Sequence, residues 1–138
     1  AFLGTVDATA VATARSALRQ VTSAPVPFAL SGVAPLRQGD RAVAIRAGVT
    51  PLANVTALAA AVSAALRGAG LPTEDRPYLP HVTLAWLRRR SGPIDDFLAR
   101  HAALASDEAL IDHFVLMASI TSPQGSHYTV LERYPLSG

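Results

Sequence analysis

Apolar residues recur along this chain with two different periods, and the change from one to the other predicts its elements. After a short apolar opening, Ala1-Phe2-Leu3, and a turn at Gly4-Thr5-Val6-Asp7, the residues Val11, Ala14, Leu18 and Val21 share one helical face. Asp7 is suited to cap that helix, which is expected to run to about Gln20, and Pro25 and Pro27 end it. Phe28–Val33 and Arg41–Arg46 read as a strand pair turning at Gln38-Gly39-Asp40. Thr50-Pro51 opens a second helix, with proline at its tolerated first position. Leu52, Val55, Leu58, Ala59, Val62 and Leu66 keep the helical period, and Gly68 and Gly70 close the segment.

A proline-bearing loop, Leu71–Pro80, leads into a strand over His81–Leu87. Pro93 starts a third helix expected to reach about Leu104. Two strands, roughly Asp112–Thr121 and His127–Tyr134, finish the chain around Ser122-Pro123-Gln124-Gly125. The order α-β-β-α-β-α-β-β predicts an α+β fold of antiparallel sheet with helices packed on it. No stretch is rich enough in Pro, Gly or Ser to divide the chain, so residues 1–138 read as one domain. Ala1-Phe2-Leu3 resembles the tail of a strand whose beginning lies upstream, which makes that domain N-terminally incomplete.

Composition narrows the class. The chain has 138 residues, half of them hydrophobic and 16% charged, and a mean hydropathy of +0.29. That is enough apolar material for one sizeable core and far from the disordered range. No apolar run approaches the roughly 20 residues that span a bilayer, and no basic stretch precedes an apolar one as in a signal peptide. A cytoplasmic location, a bacterial source and no membrane partner are the expectations. Cysteine is absent, which excludes disulfides, thiolate nucleophiles and cysteine zinc sites together. All twelve basic residues are arginine, and the formal charge is +2. Arginine suits bidentate recognition of phosphate, although a solvated arginine surface explains the composition equally well.

The sharpest local signal is Pro80-His81-Val82-Thr83-Leu84. In a regular strand His81 and Thr83 point one way and Val82 and Leu84 the other. Imidazole gives or takes a proton near neutral pH, and a threonine hydroxyl donates to a phosphate oxygen without adding charge. Pro80 lacks a ladder donor, as suits the mouth of a strand beside a cleft. Taken alone, such a tetrapeptide is more often a half-buried strand histidine than a site.

The wider stretch Arg76-Pro77-Tyr78-Leu79-Pro80-His81-Val82-Thr83-Leu84-Ala85 closely resembles the second signature of the two-histidine phosphoesterases. Within them it resembles the branch known as RNA 2′,3′-cyclic phosphodiesterase or 2′-5′ RNA ligase. Other segments look similar in the same order. Ala1-Phe2-Leu3-Gly4 resembles the segment just after the family's first histidine motif, and Phe28–Arg46 its strand pair. Gly125–Leu136, with Tyr128 and Tyr134-Pro135-Leu136, resembles its C-terminus.

The resemblance implies a bilobed α+β fold with antiparallel sheets, helices packed outside and a central cleft. Each lobe would contribute one strand bearing a histidine and, two residues on, a hydroxyl. It implies metal-independent hydrolysis of a 2′,3′-cyclic phosphate to a 2′-phosphomonoester, without a cofactor. RNA ends or nucleotides would be the partners, and the enzyme is expected to be a monomer. One histidine would activate water and the other protonate the departing 3′ oxygen. The same site run in reverse would join 2′-5′ ends; hydrolysis is the direction favoured here.

His81 and Thr83 are thus the implied catalytic residues, and His81 could take either role. Arg76, Tyr78 and Arg88 are the candidate substrate-binding residues. The family's first-motif histidine would fall just upstream of Ala1, so a chain truly beginning there is expected to turn over little or nothing. Relatives often carry an arginine where this sequence has Trp86, and Arg88 or Arg76 could substitute for it. The rival reading is a non-catalytic RNA- or nucleotide-binding module on the same fold.

The remaining candidates read more plainly. His127-Tyr128-Thr129-Val130 repeats the histidine–hydroxyl spacing, but the tyrosine is the characteristic residue there, so His127 is rejected as the second histidine. His101 and His113 read as surface or packing residues without metal-ligand spacing. Tyr78 and Trp86 could stack on a base or fill the core and its edge, and for Trp86 the core is favoured. Arg88-Arg89-Arg90 could meet RNA phosphates or form a solvated turn. Asp95-Asp96 complement a helix dipole.

Overall fold

In a computed structural model of the chain, residues 1–74, 77–88 and 91–137 are described. They form three helices and six strands in the order α1 (Ala8–Leu18), β1 (Val26–Gln38), β2 (Arg41–Thr50), α2 (Leu52–Gly68), β3 (His81–Trp86), α3 (Asp95–Arg100), β4 (Ala109–Ile111), β5 (His113–Ser122) and β6 (Gly125–Pro135). The chain divides into two compact units. One takes Ala1–Val26, Ala57–Pro77 and Ile111–Gly138, and the other Pro27–Thr56 and Tyr78–Leu110. No helix among the described residues is long and apolar enough to cross a membrane.

The first unit is built on α1, most of α2 and the β5–β6 hairpin. Asp7 caps α1 as its position suggested, its carboxylate accepting from the Ala10 amide at 2.8 Å. The helix buries Ala14 and Leu18 against Leu66, Leu71 and Tyr134, with Leu3, Val62, Phe114 and Leu116 around them. Leu3 therefore packs on this core, and Ala1-Phe2-Leu3 is not strand in the described residues. Arg15 and Arg19 both reach Glu132 on β6, at 3.5 and 2.7 Å.

At the end of α2 the Leu71 amide donates to the Leu66 carbonyl and the Gly70 amide to that of Arg67. Gly70 adopts φ +77° between them, the left-handed residue that such a helix stop requires. The stop turns Leu71 back into the core. The α2 period holds from Val55 onward, while Leu52 at the first turn stays exposed.

The second unit carries a four-stranded sheet in the order β3-β2-β1-β4. β1 and β2 are antiparallel and turn through Gly39-Asp40, with Gly39 at φ +60°. Both run past the expected ends, because Ala34 and Pro35 stay in register opposite Arg46 and Ile45. β2 also pairs antiparallel with β3. On β2, Ile45, Ala47 and Val49 are buried on one face, and on the other Ala44 is buried while Arg46 and Gly48 are half-buried.

The third helix is shorter than expected, six residues in place of about twelve. Past His101 the chain is drawn onto β1: Gly32 donates its amide to Leu104 (2.7 Å), Ser106 donates its own to Leu30 (3.1 Å), and the Ser106 hydroxyl accepts the Leu30 amide (2.8 Å). The Ala102 and Leu104 amides bond locally to Ala99 and His101, in turns that follow the helix before the chain reaches β1. β4, three residues long, was not anticipated, since so short a run carries no alternating signal.

Candidate active site

His81 and Thr83 open β3, an edge strand of the four-stranded sheet, and their orientation follows from pairing with β2. Across that ladder His81 lies opposite Gly48, Thr83 opposite Arg46 and Trp86 opposite Ala44. Residues directly opposite in an antiparallel pair share a face. His81 and Thr83 therefore project together, as alternation along a strand requires.

Trp86 joins them, which plain alternation does not allow. Two residues lie between Thr83 and Trp86 on β3, but only one lies between Arg46 and Ala44 on β2, because Leu84 is accommodated in a bulge. The extra residue returns Trp86 to the histidine face. The expectation of a core role for Trp86 is corrected accordingly, since the indole is 75% exposed.

His81 is exposed, and its Nδ1 lies 2.7 Å from the Leu79 carbonyl oxygen. A carbonyl can only accept, so Nδ1 carries a proton and Nε2 is the nitrogen left for chemistry. The bond ties the ring to its own backbone two residues back, just across Pro80, which is buried at the strand entrance. Thr83 is half-buried beside it. Tyr78, 53% exposed, precedes the strand, and partial burial raises its phenol above the usual value, so the hydroxyl is neutral at physiological pH.

Arg88 falls beyond the end of β3. Its amide donates to the Ser91 hydroxyl and its carbonyl accepts from the Ser91 amide, which sets it in a turn with an exposed side chain. It does not continue the strand face. Arg76, with Arg89 and Arg90, lies outside the described residues.

The other histidines have different surroundings. His101 packs against Phe97 with ring centroids 4.5 Å apart. His113 lies between Asp112, 2.6 Å from its Nδ1, and Arg133, 2.8 Å from its Nε2. The contact with His113 holds the Asp112 carboxyl below its ordinary range. His127 is exposed on β6 opposite Ile120. No cluster of acidic and histidine side chains able to hold a metal ion occurs among the described residues.

The family model for the 2′-5′ RNA ligase superfamily matches residues 1–121. The chain belongs to that superfamily, the two-histidine phosphoesterases. Three solved structures share the superfamily member's fold. A phosphoesterase is 21% identical with a TM-score of 0.77, covering all of this chain and 75% of its own. LigT of E. coli complexed with 3′-AMP is 19% identical with a TM-score of 0.75 and the same coverage. TT0787 of Thermus thermophilus is 20% identical with a TM-score of 0.74, over 98% of this chain and 74% of its own. No curated protein sequence matches the chain. The family and the mixed antiparallel fold expected from Arg76–Ala85 are thereby established for this 2′-5′ RNA ligase superfamily member.

Proposed function

We propose that this protein hydrolyses 2′,3′-cyclic phosphates at RNA ends or on nucleotides, giving 2′-phosphomonoesters. The observation that carries the reading is the anchored imidazole of His81, its Nε2 free on the same strand face as the Thr83 hydroxyl. In the reaction, water attacks phosphorus and yields its proton to one histidine. The bond from phosphorus to the 3′ oxygen breaks, and that oxygen takes a proton from a second histidine. His81 acts through Nε2 in either role, because Nδ1 keeps its proton on Leu79 throughout.

Thr83 donates its hydroxyl to a non-bridging oxygen, stabilising charge without titrating. Trp86 offers a flat apolar face for a base, and Tyr78 a neutral hydroxyl. Arg76 and Arg88, on either side of β3 in the sequence, are the proposed contacts to RNA phosphates. Solved structures of E. coli LigT with 3′-AMP, ATP and NADP+ support nucleotides as the ligand class. The second imidazole is that of the family's first histidine motif.

Hydrolysis of adenosine 2′,3′-cyclic monophosphate by the full-length protein tests this. His81→Ala is expected to slow turnover by about 10²- to 10⁴-fold, the usual contribution of a general acid or base. Undiminished turnover in that variant would remove His81 from the chemistry.

A further inference from the structure

The histidine face of β3 extends across the ladder onto β2, and the residue it meets beside Thr83 is Arg46. Arg46 sits between the buried Ile45 and Ala47, on the opposite face from them. Its guanidinium lies over Gly48, since a Cβ built on that glycine would stand 4.0 Å from the arginine Nη1. Gly48 is itself the partner of His81. The guanidinium is thus directed along the strand toward the histidine end of the face.

Two further features separate Arg46 from an ordinary surface arginine. Its Nε is buried and makes no hydrogen bond among the described residues. Arg15 also has a buried, unbonded Nε, but its guanidinium has Glu132 at 3.5 Å. Arg46 has no such carboxylate among the described residues. A guanidinium carries five donors, and leaving one buried and unpaired is unfavourable. The residues that share this face with it by register are Ala29, Ser31, Ala34 and Leu36 of β1, Ala44, Gly48 and Thr50 of β2, and His81, Thr83 and Trp86 of β3. None of these is acidic, so no carboxylate of β1, β2 or β3 shares the face with Arg46 among the described residues.

We infer that Arg46 is a substrate-binding residue that clamps a non-bridging phosphate oxygen beside Thr83. The inference rests on His81 and Thr83 facing the reacting phosphate, as proposed above. A planar fork with parallel N–H groups fits a phosphate edge, and partial burial strengthens the bond. Arg46 would hold the charge, Thr83 a second oxygen and Trp86 the base, so one sheet face would carry the phosphate and nucleoside portions together. Arg88, beyond the strand end, is not on this face.

Binding of adenosine 2′-monophosphate and of adenosine, followed by NMR at the Trp86 indole and the His81 ring in the full-length protein, tests it. Arg46→Met is expected to weaken the nucleotide by roughly 10- to 100-fold, the loss of one charged hydrogen-bonding partner. Adenosine, lacking the phosphate, should bind both proteins within about twofold. Arg46→Lys keeps the stem and the charge but not the fork, and should fall between. It also carries the comparison should Arg46→Met fail to fold. Unchanged nucleotide affinity in the variants would overturn the assignment, as would an equal loss for adenosine, which would mean that Arg46 only shapes the face. If the wild type does not hydrolyse the cyclic nucleotide but binds the monophosphate through Arg46, the anion site stands and the hydrolytic reading falls.

Discussion

Gly48→Ala couples the stability of the second unit to its site, because a methyl group added on the strand next to His81 meets the backbone of β1. A Cβ on Gly48 would lie 2.6 Å from the Ser31 carbonyl oxygen. Carbon and oxygen settle at about 3.3 Å, so relief requires a displacement of roughly 0.7 Å. Ser31 is poorly placed to give way. It pairs with Gly48 itself, bridges to Ala105, and precedes the bulge at Gly32, whose amide is bonded to Leu104 at 2.7 Å. Gly32 has φ +65°, a conformation that leaves the bulge little alternative geometry.

Overpacking against atoms that relax only partly costs about 1–3 kcal/mol, and a contact with backbone belongs toward the upper part of that range. Urea unfolding of wild type and Gly48→Ala would read this as a lower midpoint at unchanged slope. The displacement would also shift β2 against β3 at the His81 pair, so nucleotide binding should weaken along with stability. A variant within about 0.5 kcal/mol of wild type, the ordinary range for surface changes, would show that the strands absorb the methyl group and would refute the close approach.

Two more outcomes follow from the same structure. Trp86→Ala should cost no more than about 1 kcal/mol in stability, since only about a quarter of the side chain is covered. It should weaken nucleotide binding by about 1–3 kcal/mol, the worth of one stacked base; a large stability loss with intact binding would return Trp86 to the core. Asp112 is held below the ordinary carboxylate range chiefly by its hydrogen bond from His113. A depressed folded value stabilises above the unfolded pKa of about 3.9 and is lost as pH falls through the folded one. Asp112→Asn should therefore flatten the acid limb of the stability profile, and an NMR titration placing the Asp112 carboxyl at its ordinary value would refute this.

The sequence by itself determined the features whose causes are local. Asp7 starts α1, Gly70 stops α2, and the spacing from Val55 to Leu66 selects the face that α2 buries, because capping, left-handed turns and the 3.6-residue period are settled within a few residues. The stretch Arg76–Ala85 likewise pointed to the superfamily whose family model matches the chain, and it singled out His81 and Thr83 as the residues proposed for its chemistry. What only the tertiary structure decided is which distant residues join that histidine on one face. Alternation along β3 puts Trp86 opposite His81, but the bulge at Leu84 reverses it, and the bulge exists only in register with β2. Arg46, far ahead of Thr83 in the chain, becomes its neighbour through the same pairing. The third helix ends at Arg100, and beyond it the Leu104 carbonyl and Ser106 bond to β1. Register and edge bonding depend on where another strand lies, and no local pattern encodes that.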